Sequence, residues 1–232
     1  MKKFIIVVCA IALSVVTASA QFTTSGGAKK SYSSSPDSKF GTFSVSYSPV
    51  TFKATLGNSS TSRDLNGISL LWTDAYSVVP NVPVYFEYGV GAQWAFLNEK
   101  EEDEKASINF LSLKVPVSLM YKFDVPQTEI SLVPYAGLNL TGHILGQQKY
   151  QWDNGDSKES ETSSFFSKDD MGENGTFNRF VVGWHIGAKV FIKKFLVGVA
   201  YEGPVTNLYK YDDDGDMKYN TSQVNISVGI NF

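Results

Sequence analysis

The segment Leu111-Ser-Leu-Lys-Val-Pro-Val-Ser-Leu-Met-Tyr-Lys-Phe123 alternates between two kinds of side chain over its whole length. Its odd-numbered positions are leucine, valine, tyrosine and phenylalanine, whereas serine and lysine make up most of the even-numbered ones. Successive side chains of a β-strand point to opposite faces, so the pattern predicts a strand with one apolar face and one mostly polar face. The same period recurs along most of the chain.

Seven further segments carry this period, and stretches rich in glycine, asparagine and aspartate, which are typical of turns, separate them. The eight predicted strands are Phe40–Val50, Gly67–Val78, Pro83–Phe96, Ile108–Phe123, Glu129–Gly142, Phe180–Ile192, Phe195–Tyr201 and Gln223–Phe232. Short connections, at 79–82, 122–128 and 193–194, alternate strictly with long ones, at 51–66, 97–107, 143–179 and 202–222. Because Asp74 would share the apolar face of Trp72, we expect the lipid-facing register to end before it or a bulge to shift it.

One apolar face on each strand also fits a soluble β-sandwich or a lipocalin-like barrel. The opposite face separates these possibilities, since it is rich in glycine, serine and asparagine, which suit a crowded lumen better than a solvated surface. Outer-membrane barrels combine a lipid-facing apolar band with short periplasmic turns and long external loops. The sequence therefore predicts an all-β fold, an eight-stranded antiparallel up-and-down transmembrane β-barrel with short periplasmic turns and long extracellular loops.

The N-terminus carries the pattern of an export signal. Two lysines precede an apolar run from Phe4 to Leu13, and Ala18-Ser-Ala20 places small residues at the −3 and −1 positions of a cut. We predict a cleavable signal peptide at residues 1–20, cut after Ala20. The alternative, a membrane anchor, needs about 20 apolar residues, and this run is shorter. We further predict a flexible N-terminal segment at 21–39 and the barrel domain at 40–232.

Composition excludes several classes of protein. The 232-residue chain is 43% hydrophobic and 14% aromatic, which is too apolar for a disordered protein. A net charge of −3 without a basic stretch argues against a nucleic-acid partner. The single cysteine, Cys9, lies in the predicted signal peptide, so a disulfide framework is excluded. Two histidines without a mature cysteine disfavour zinc, and we expect no cofactor.

The chain ends in Val224-Asn-Ile-Ser-Val-Gly-Ile-Asn-Phe232, which resembles the signal read by the outer-membrane barrel assembly machinery. Segment 111–123 resembles the L-x-x-P-x-x-L-x-Y-x-F strand of the outer-membrane β-barrel domain family, of the PorT-like type common in Bacteroidetes. Further matches are Val133-Pro-Tyr-Ala-Gly137 and Gly183-Trp-His-Ile-Gly-Ala-Lys-Val190. The resemblance implies a barrel in the outer membrane of a Gram-negative bacterium, with outer-membrane lipids and the assembly machinery as partners. It supplies no catalytic motif.

Six charged or titratable side chains are predicted to face the lumen or to lie near strand ends: Glu87, Lys114, Glu129, His185, Lys189 and Glu202. Side chains just fill the interior of an eight-stranded barrel. We therefore interpret the six as a network of ion pairs and hydrogen bonds that plugs the lumen, in which Glu87 could pair with Lys114. The alternative is an ion path, which would make the protein a narrow porin-like diffusion channel.

The longest predicted loop contains aromatic side chains that a purely solvated loop does not need, namely Tyr150, Trp152, Phe165 and Phe166. Long loops of compact folds are often functional, so we predict an extracellular surface that binds a protein or a glycan. The alternative is that these rings cap the barrel mouth. Residues 147–152 alternate and are expected to continue a strand above the membrane.

Two other chemistries receive weaker support. His143 lies near Ser163 and Ser164 in this loop, which leaves open a lipid-modifying barrel enzyme, but no catalytic motif surrounds it. Acidic turns at 153–156 and 212–216 lack the spacing of an EF-hand, and we interpret them as solvated loops with a loose divalent-cation site as the alternative. The sequence favours a non-enzymatic barrel.

Overall fold

The computed structural model describes residues 38–101, 104–153, 158–171, 175–211 and 217–232. The predicted signal peptide, nearly all of the predicted N-terminal segment and most of both acidic turns lie outside these residues. Within the described residues, no helix is long and apolar enough to cross a membrane.

The described residues form β-strands and one short helix. The strands are β1 (Lys39–Tyr47), β2 (Val50–Leu56), β3 (Ser59–Ser77), β4 (Val84–Glu101), β5 (Glu104–Tyr121), β6 (Phe123–Asp124), β7 (Ile130–Asp153), β8 (Lys158–Ser164), β9 (Gly175–Phe177), β10 (Phe180–Ile192), β11 (Phe195–Pro204), β12 (Tyr209–Tyr211) and β13 (Met217–Asn231). The helix, α1, spans Lys168–Met171. The small strands β6 and β8 both pair with β7, and β9 pairs with β12.

The long strands close into a barrel in which each one pairs antiparallel with its neighbours. The order around the ring is β1 with β2, then β3, β4, β5, β7, β10, β11 and β13. β1 and β2 form one barrel strand interrupted at Ser48 and Pro49, and both of them pair with β3 on one side and β13 on the other. The predicted eight-stranded up-and-down barrel is therefore confirmed. Closure satisfies the backbone groups that an open sheet edge would leave unpaired in lipid.

The apolar faces of the strands lie on the outside of the barrel. In β5, Leu113 and Val115 are 47% and 41% exposed, whereas Ser112 and Lys114 are only 4% and 8% exposed. An outer surface of this kind is stable against lipid chains and forms the apolar band of an outer-membrane barrel. Exposed rings lie near both ends of the strands, as in interfacial girdles: Tyr121, Phe123, Phe195 and Phe232 at the short-turn end, and Trp94, Phe180 and Tyr201 at the other.

The register of β3 continues without a break past Asp74, which lies opposite Gly41 of β1 and Tyr88 of β4. The bulge that we expected as one alternative was therefore wrong. Asp74 lies three residues from the end of β3, close to the periplasmic boundary of the membrane. A carboxylate near the interface costs far less free energy than one at the bilayer midplane, so the outer face can accept it.

The three short turns are confirmed, but several predicted loops are strands instead. Most of residues 51–66 form β2 and the start of β3, and residues 97–101 and 104–107 continue β4 and β5. Residues 147–152 continue β7, as predicted. The 18 residues of β4 span about 60 Å at about 3.3 Å per residue, and a tilt of about 40° leaves a rise of about 45 Å. The apolar band is only about 25 Å tall, so the hairpins stand about 20 Å above the membrane.

Two apolar clusters fill the ends of the lumen. We call the first the periplasmic plug; its buried members are Phe40, Ala75, Tyr85, Met120, Val133, Phe191 and Leu196. The second, the extracellular cap, contains Val50, Leu65, Ala95, Ile108, Phe110, Phe177 and Leu208. The polar side chains of the predicted lumen network, with the exception of Glu129, lie between these two clusters.

Candidate functional site: the polar lumen

A buried ion pair crosses the lumen between strands that are not neighbours. Oε2 of Glu87 on β4 directly contacts Nζ of Lys189 on β10. The two residues are 2% and 6% exposed. Oγ1 of Thr73 donates to the same carboxylate oxygen at 2.8 Å, and the hydroxyl of Thr42 lies 2.7 Å from that of Thr73. The carboxylate thus has both a charged partner and a neutral hydrogen-bond donor, as a buried charge requires.

A second ion pair lies nearer the extracellular side. Nζ of Lys114 donates to Oε2 of Glu202 at 2.5 Å. Nδ2 of Asn225 donates to the other oxygen of Glu202 at 2.6 Å. Nε2 of Gln223 donates to Oδ1 of Asn225 at 3.0 Å, and Nε2 of Gln93 donates to Oε1 of Gln223 at 2.8 Å. This chain of amides ties β4, β5, β11 and β13 together around one carboxylate.

Two parts of the predicted network are placed differently in the structure. Glu87 does not pair with Lys114, because the β4–β5 register puts Ser118 opposite Glu87 and Gly91 opposite Lys114. Glu129 lies outside the lumen, where its carboxylate is 3.2 Å from Nζ of Lys193 and both side chains are about 70% exposed. Its assignment to the lumen network was wrong, because it lies in the turn before β7 rather than in a strand.

Each histidine is paired with a serine of β5 through one ring nitrogen. Nε2 of His185 lies 2.8 Å from Oγ of Ser118, and Nδ1 of His143 lies 2.7 Å from Oγ of Ser112. The other nitrogen of each ring is buried and has no hydrogen-bond partner within the described part of the chain. The sequence had suggested Ser163 and Ser164 as neighbours of His143 and missed Ser112, although the alternation of β5 already put Ser112 on the lumen face.

A β-bulge sets the partner of His143. The β5–β7 register pairs Leu111 with Leu145 but Ser112 with His143, so that Ile144 has no residue opposite it. Ile144 and Leu145 are consequently both exposed on the outside. A bulge re-aims the side chains beside it, and here His143 points towards the lumen at the height of Ser112.

The four aromatic residues of the long predicted loop divide into two pairs. The ring of Phe165 stacks on that of Phe110 at 5.1 Å between centroids, and Phe166 lies 6.2 Å from the ring of His143. These two residues pack against the extracellular cap. Tyr150 and Trp152 lie instead on the upper part of β7, opposite two glutamates of β8, and Tyr150 is 41% exposed. Phe165 and Phe166 thus pack on the cap, whereas Tyr150 is exposed on a hairpin and Trp152 is half-buried beside it.

Two cavities of about 60 Å³ each lie within the polar lumen. The upper cavity, beneath the extracellular cap, is lined by Ser112 and His143 among others. The lower cavity is lined by His185 and Lys189 among others. Both cavities are also lined by Lys114, Asn139 and Glu202. Either volume is far below the roughly 300–1,000 Å³ of a pocket for a drug-sized molecule.

A family model described as the outer membrane protein beta-barrel domain matches residues 81–210, more than half of the chain. The chain belongs to this family. It is therefore a small outer-membrane β-barrel protein, and membership implies a location in the outer membrane of a Gram-negative cell. No curated protein matches the sequence. Among the described residues, no group of three or more histidine, cysteine, aspartate or glutamate side chains could hold a metal ion.

Several solved outer-membrane proteins are similar to this chain. One is Ail, the attachment invasion locus protein of Yersinia pestis, whose structure was solved with the heparin analogue sucrose octasulfate. It is 12% identical to this chain, the match covers 84% of this chain and 99% of that chain, and the TM-score is 0.42. Neisserial surface protein A is 16% identical, with coverages of 82% and 97% and a TM-score of 0.36. The outer membrane enzyme PagL is 11% identical, with coverages of 79% and 98% and a TM-score of 0.42.

Proposed function

We propose that this family member is a closed, non-enzymatic barrel that does not conduct ions, and that its extracellular hairpins contact a protein or glycan partner. The observation that carries the proposal is the layering of the lumen, in which an apolar cluster at each end encloses two ion pairs. An ion that crossed the barrel would lose its hydration at each apolar layer, and hydrophobic constrictions close pores in this way.

The ion pairs support a structural role for the lumen charges. Glu87 is matched by Lys189 and Lys114 by Glu202, so the four charges cancel within the described lumen. A permeating ion would have to break a desolvated pair, and separating such a pair is unfavourable. The charges therefore hold strands on opposite sides of the barrel together, and they replace water as the filling of the interior.

The location of the Ser112–His143 pair argues against an enzyme that acts on lipid. A serine nucleophile needs a histidine base that a third group orients, and it must reach its substrate. Here Nε2 of His143 has no partner among the described residues, and Ser112 is 4% exposed beneath the extracellular cap. Membrane lipids lie on the other side of the barrel wall.

Reconstitution into planar lipid bilayers tests the closed barrel. We expect no conductance steps from the purified protein in concentrated KCl, whereas an open barrel of 16 strands, added as a positive control, should conduct. Steady single-channel steps whose number rises with the amount of protein would contradict the proposal. They would make the narrow porin-like channel the better assignment.

The hairpins supply the proposed partner surface, because they stand above the membrane and present Tyr150 with 41% of its surface exposed. Tyrosine is a common anchor in binding surfaces, since its ring offers a large contact area and its hydroxyl can donate and accept hydrogen bonds. We expect saturable binding to a glycan or surface-protein array that Tyr150→Ala abolishes. Tyr121→Ala, the same change at the periplasmic rim, should leave this binding intact. Equal binding by both variants would rule out the hairpin surface.

We also propose that residues 1–20 are removed after Ala20, that the chain is of the PorT-like type, and that the assembly machinery reads the last strand through Phe232. The sequence pattern of the N-terminus supports the first of these statements. Mass spectrometry of the protein from outer membranes should find a mature N-terminus at Gln21. Deletion of Phe232 should lower the amount of assembled barrel in the outer membrane.

A further inference from the structure

Two buried nitrogen atoms that lack a hydrogen-bond partner belong to residues that line the upper cavity. These are Nδ2 of Asn139 and Nε2 of His143, neither of which has a partner among the described residues. Asn139 is 4% exposed, so its amide is not satisfied by bulk solvent. Buried polar groups almost always have partners, and each exception calls for an explanation such as a bound water or ion.

Both of these atoms can donate a hydrogen bond, Nε2 of His143 in one of the two tautomers of the neutral ring. The Nδ2 group of an asparagine can only donate. Nδ1 of His143 lies 2.7 Å from the Ser112 hydroxyl, and the tautomer with its proton on Nε2 lets this hydroxyl donate to Nδ1. In this tautomer the two unpartnered atoms are both donors. An occupant of the cavity that satisfies them must supply electron pairs, as an anion or a water oxygen does.

The two charged side chains of the wall form a neutral pair, so the unpartnered donors, and not the net charge, favour an anion. Lys114 brings an ammonium group to the wall. The carboxylate of Glu202 also lines the cavity, but one of its oxygens accepts from Lys114 and the other accepts from Asn225. Each oxygen of this carboxylate thus accepts one hydrogen bond, while the unpartnered nitrogens of Asn139 and His143 have none within the described residues. Hydrogen bonds to a charged acceptor are also stronger than those to a neutral one.

From these contacts we infer that the upper cavity binds one small monovalent anion, a halide or a carboxylate of formate size, between Asn139, His143 and Lys114. The volume of about 60 Å³ sets the size, because it accommodates a few atoms and excludes a sugar or a lipid headgroup. Thr206, Thr221 and Ser222 line the same cavity and provide hydroxyl groups for a partly hydrated ion. Binding of an anion in this cavity does not depend on whether the barrel conducts ions.

Nitrogen NMR of the two histidines tests the inference directly. The protein has only His143 and His185, and the first lines the upper cavity while the second lines the lower one. Full-length mature protein, labelled with ¹⁵N in its imidazole rings and refolded in micelles, is titrated with NaCl, NaBr and sodium formate. Sodium sulfate keeps the ionic strength constant, since its anion is larger and doubly charged.

We expect a saturable shift of the His143 Nε2 resonance and little change at His185. Asn139→Leu removes one donor at similar volume and should weaken the apparent affinity by about tenfold or more. Asn66→Leu, the same change at an exposed position, should leave the affinity unchanged. If the His143 resonance does not respond to any of the three anions, the cavity holds only water and the inference is wrong. The titration of the unmodified protein decides this even if Asn139→Leu does not fold.

Discussion

Replacing Glu87 by glutamine tests whether the lumen behaves as a desolvated interior. Glu87 and Lys189 are 2% and 6% exposed, and the ammonium of Lys189 directly contacts the carboxylate. Glu87→Gln keeps the size of the side chain and removes its charge, so Lys189 remains charged and buried without its counterion. Removing one partner of a buried ion pair costs about 3–5 kcal/mol.

A double-mutant cycle separates the free energy of the Glu87–Lys189 interaction from a general loss of packing. Lys189→Met alone should also cost about 3–5 kcal/mol, because it leaves the carboxylate unpaired. The double variant Glu87→Gln with Lys189→Met contains neither charge, and we expect it to lie within about 2 kcal/mol of the unmodified protein. The two single losses should therefore exceed the double loss by about 4 kcal/mol or more.

Urea-dependent unfolding in lipid vesicles measures these differences, with the four tryptophans as fluorescent probes. The matched control is Glu129→Gln, since Glu129 forms its ion pair with Lys193 at 3.2 Å while both side chains are about 70% exposed. An exposed pair contributes about 0–1 kcal/mol, so this variant should be nearly neutral. A loss below about 1 kcal/mol for Glu87→Gln would refute the reasoning and indicate a hydrated lumen.

Three further changes probe the wall and the cap. A Cβ at Gly137 would lie 2.0 Å from a backbone oxygen, whereas a Cβ at Gly142 would meet only the edge of a ring at 3.3 Å. Gly137→Ala should therefore destabilise the barrel by about 1–3 kcal/mol or prevent its closure, whereas Gly142→Ala should fold. Heat-dependent gel mobility distinguishes the folded from the unfolded variant. Val115→Arg should destabilise the barrel by about 2–4 kcal/mol in vesicle unfolding, and Leu56→Arg, above the membrane, should change stability little. Phe110→Ala should cost about 3–5 kcal/mol and expose the cap to external protease, and unchanged cleavage would argue against a packed cap.

The strand pattern predicted the membrane-embedded part of the fold. Each strand there has lipid on one face and the lumen on the other, so apolar and polar residues alternate along its sequence. Apart from residues 147–152, the hairpin extensions were missed, because they do not have lipid on one face and the lumen on the other. Residues 59–64 at the start of β3 are polar and exposed at every position, so nothing in their sequence distinguishes a strand from a loop. The partner strand β2 holds them in place, and such pairing cannot be read from a local pattern.

In the lumen, alternation correctly predicted which side chains point inward but not which of them meet. Glu87, Lys114, His185 and Lys189 all face the interior, yet the pairing of Glu87 with Lys189 joins β4 to β10 across the barrel. That contact depends on the relative stagger of the strands, which accumulates around the whole ring. The Ser112–His143 pair depends in addition on the single extra residue at Ile144.

The seam between β13 and the first two strands has a consequence for the time course of folding. Thr42 pairs with Asn231, about 190 positions later, whereas the other barrel pairings join strands that are consecutive around the meander. For a free chain, closing a loop of that length costs about 3 kcal/mol more than closing a six-residue turn such as 78–83. The hairpins can form one after another, but the ring cannot close before the last strand arrives. Until then the sheet has two open edges, and completion of the barrel is a single late event in which its first and last strands meet.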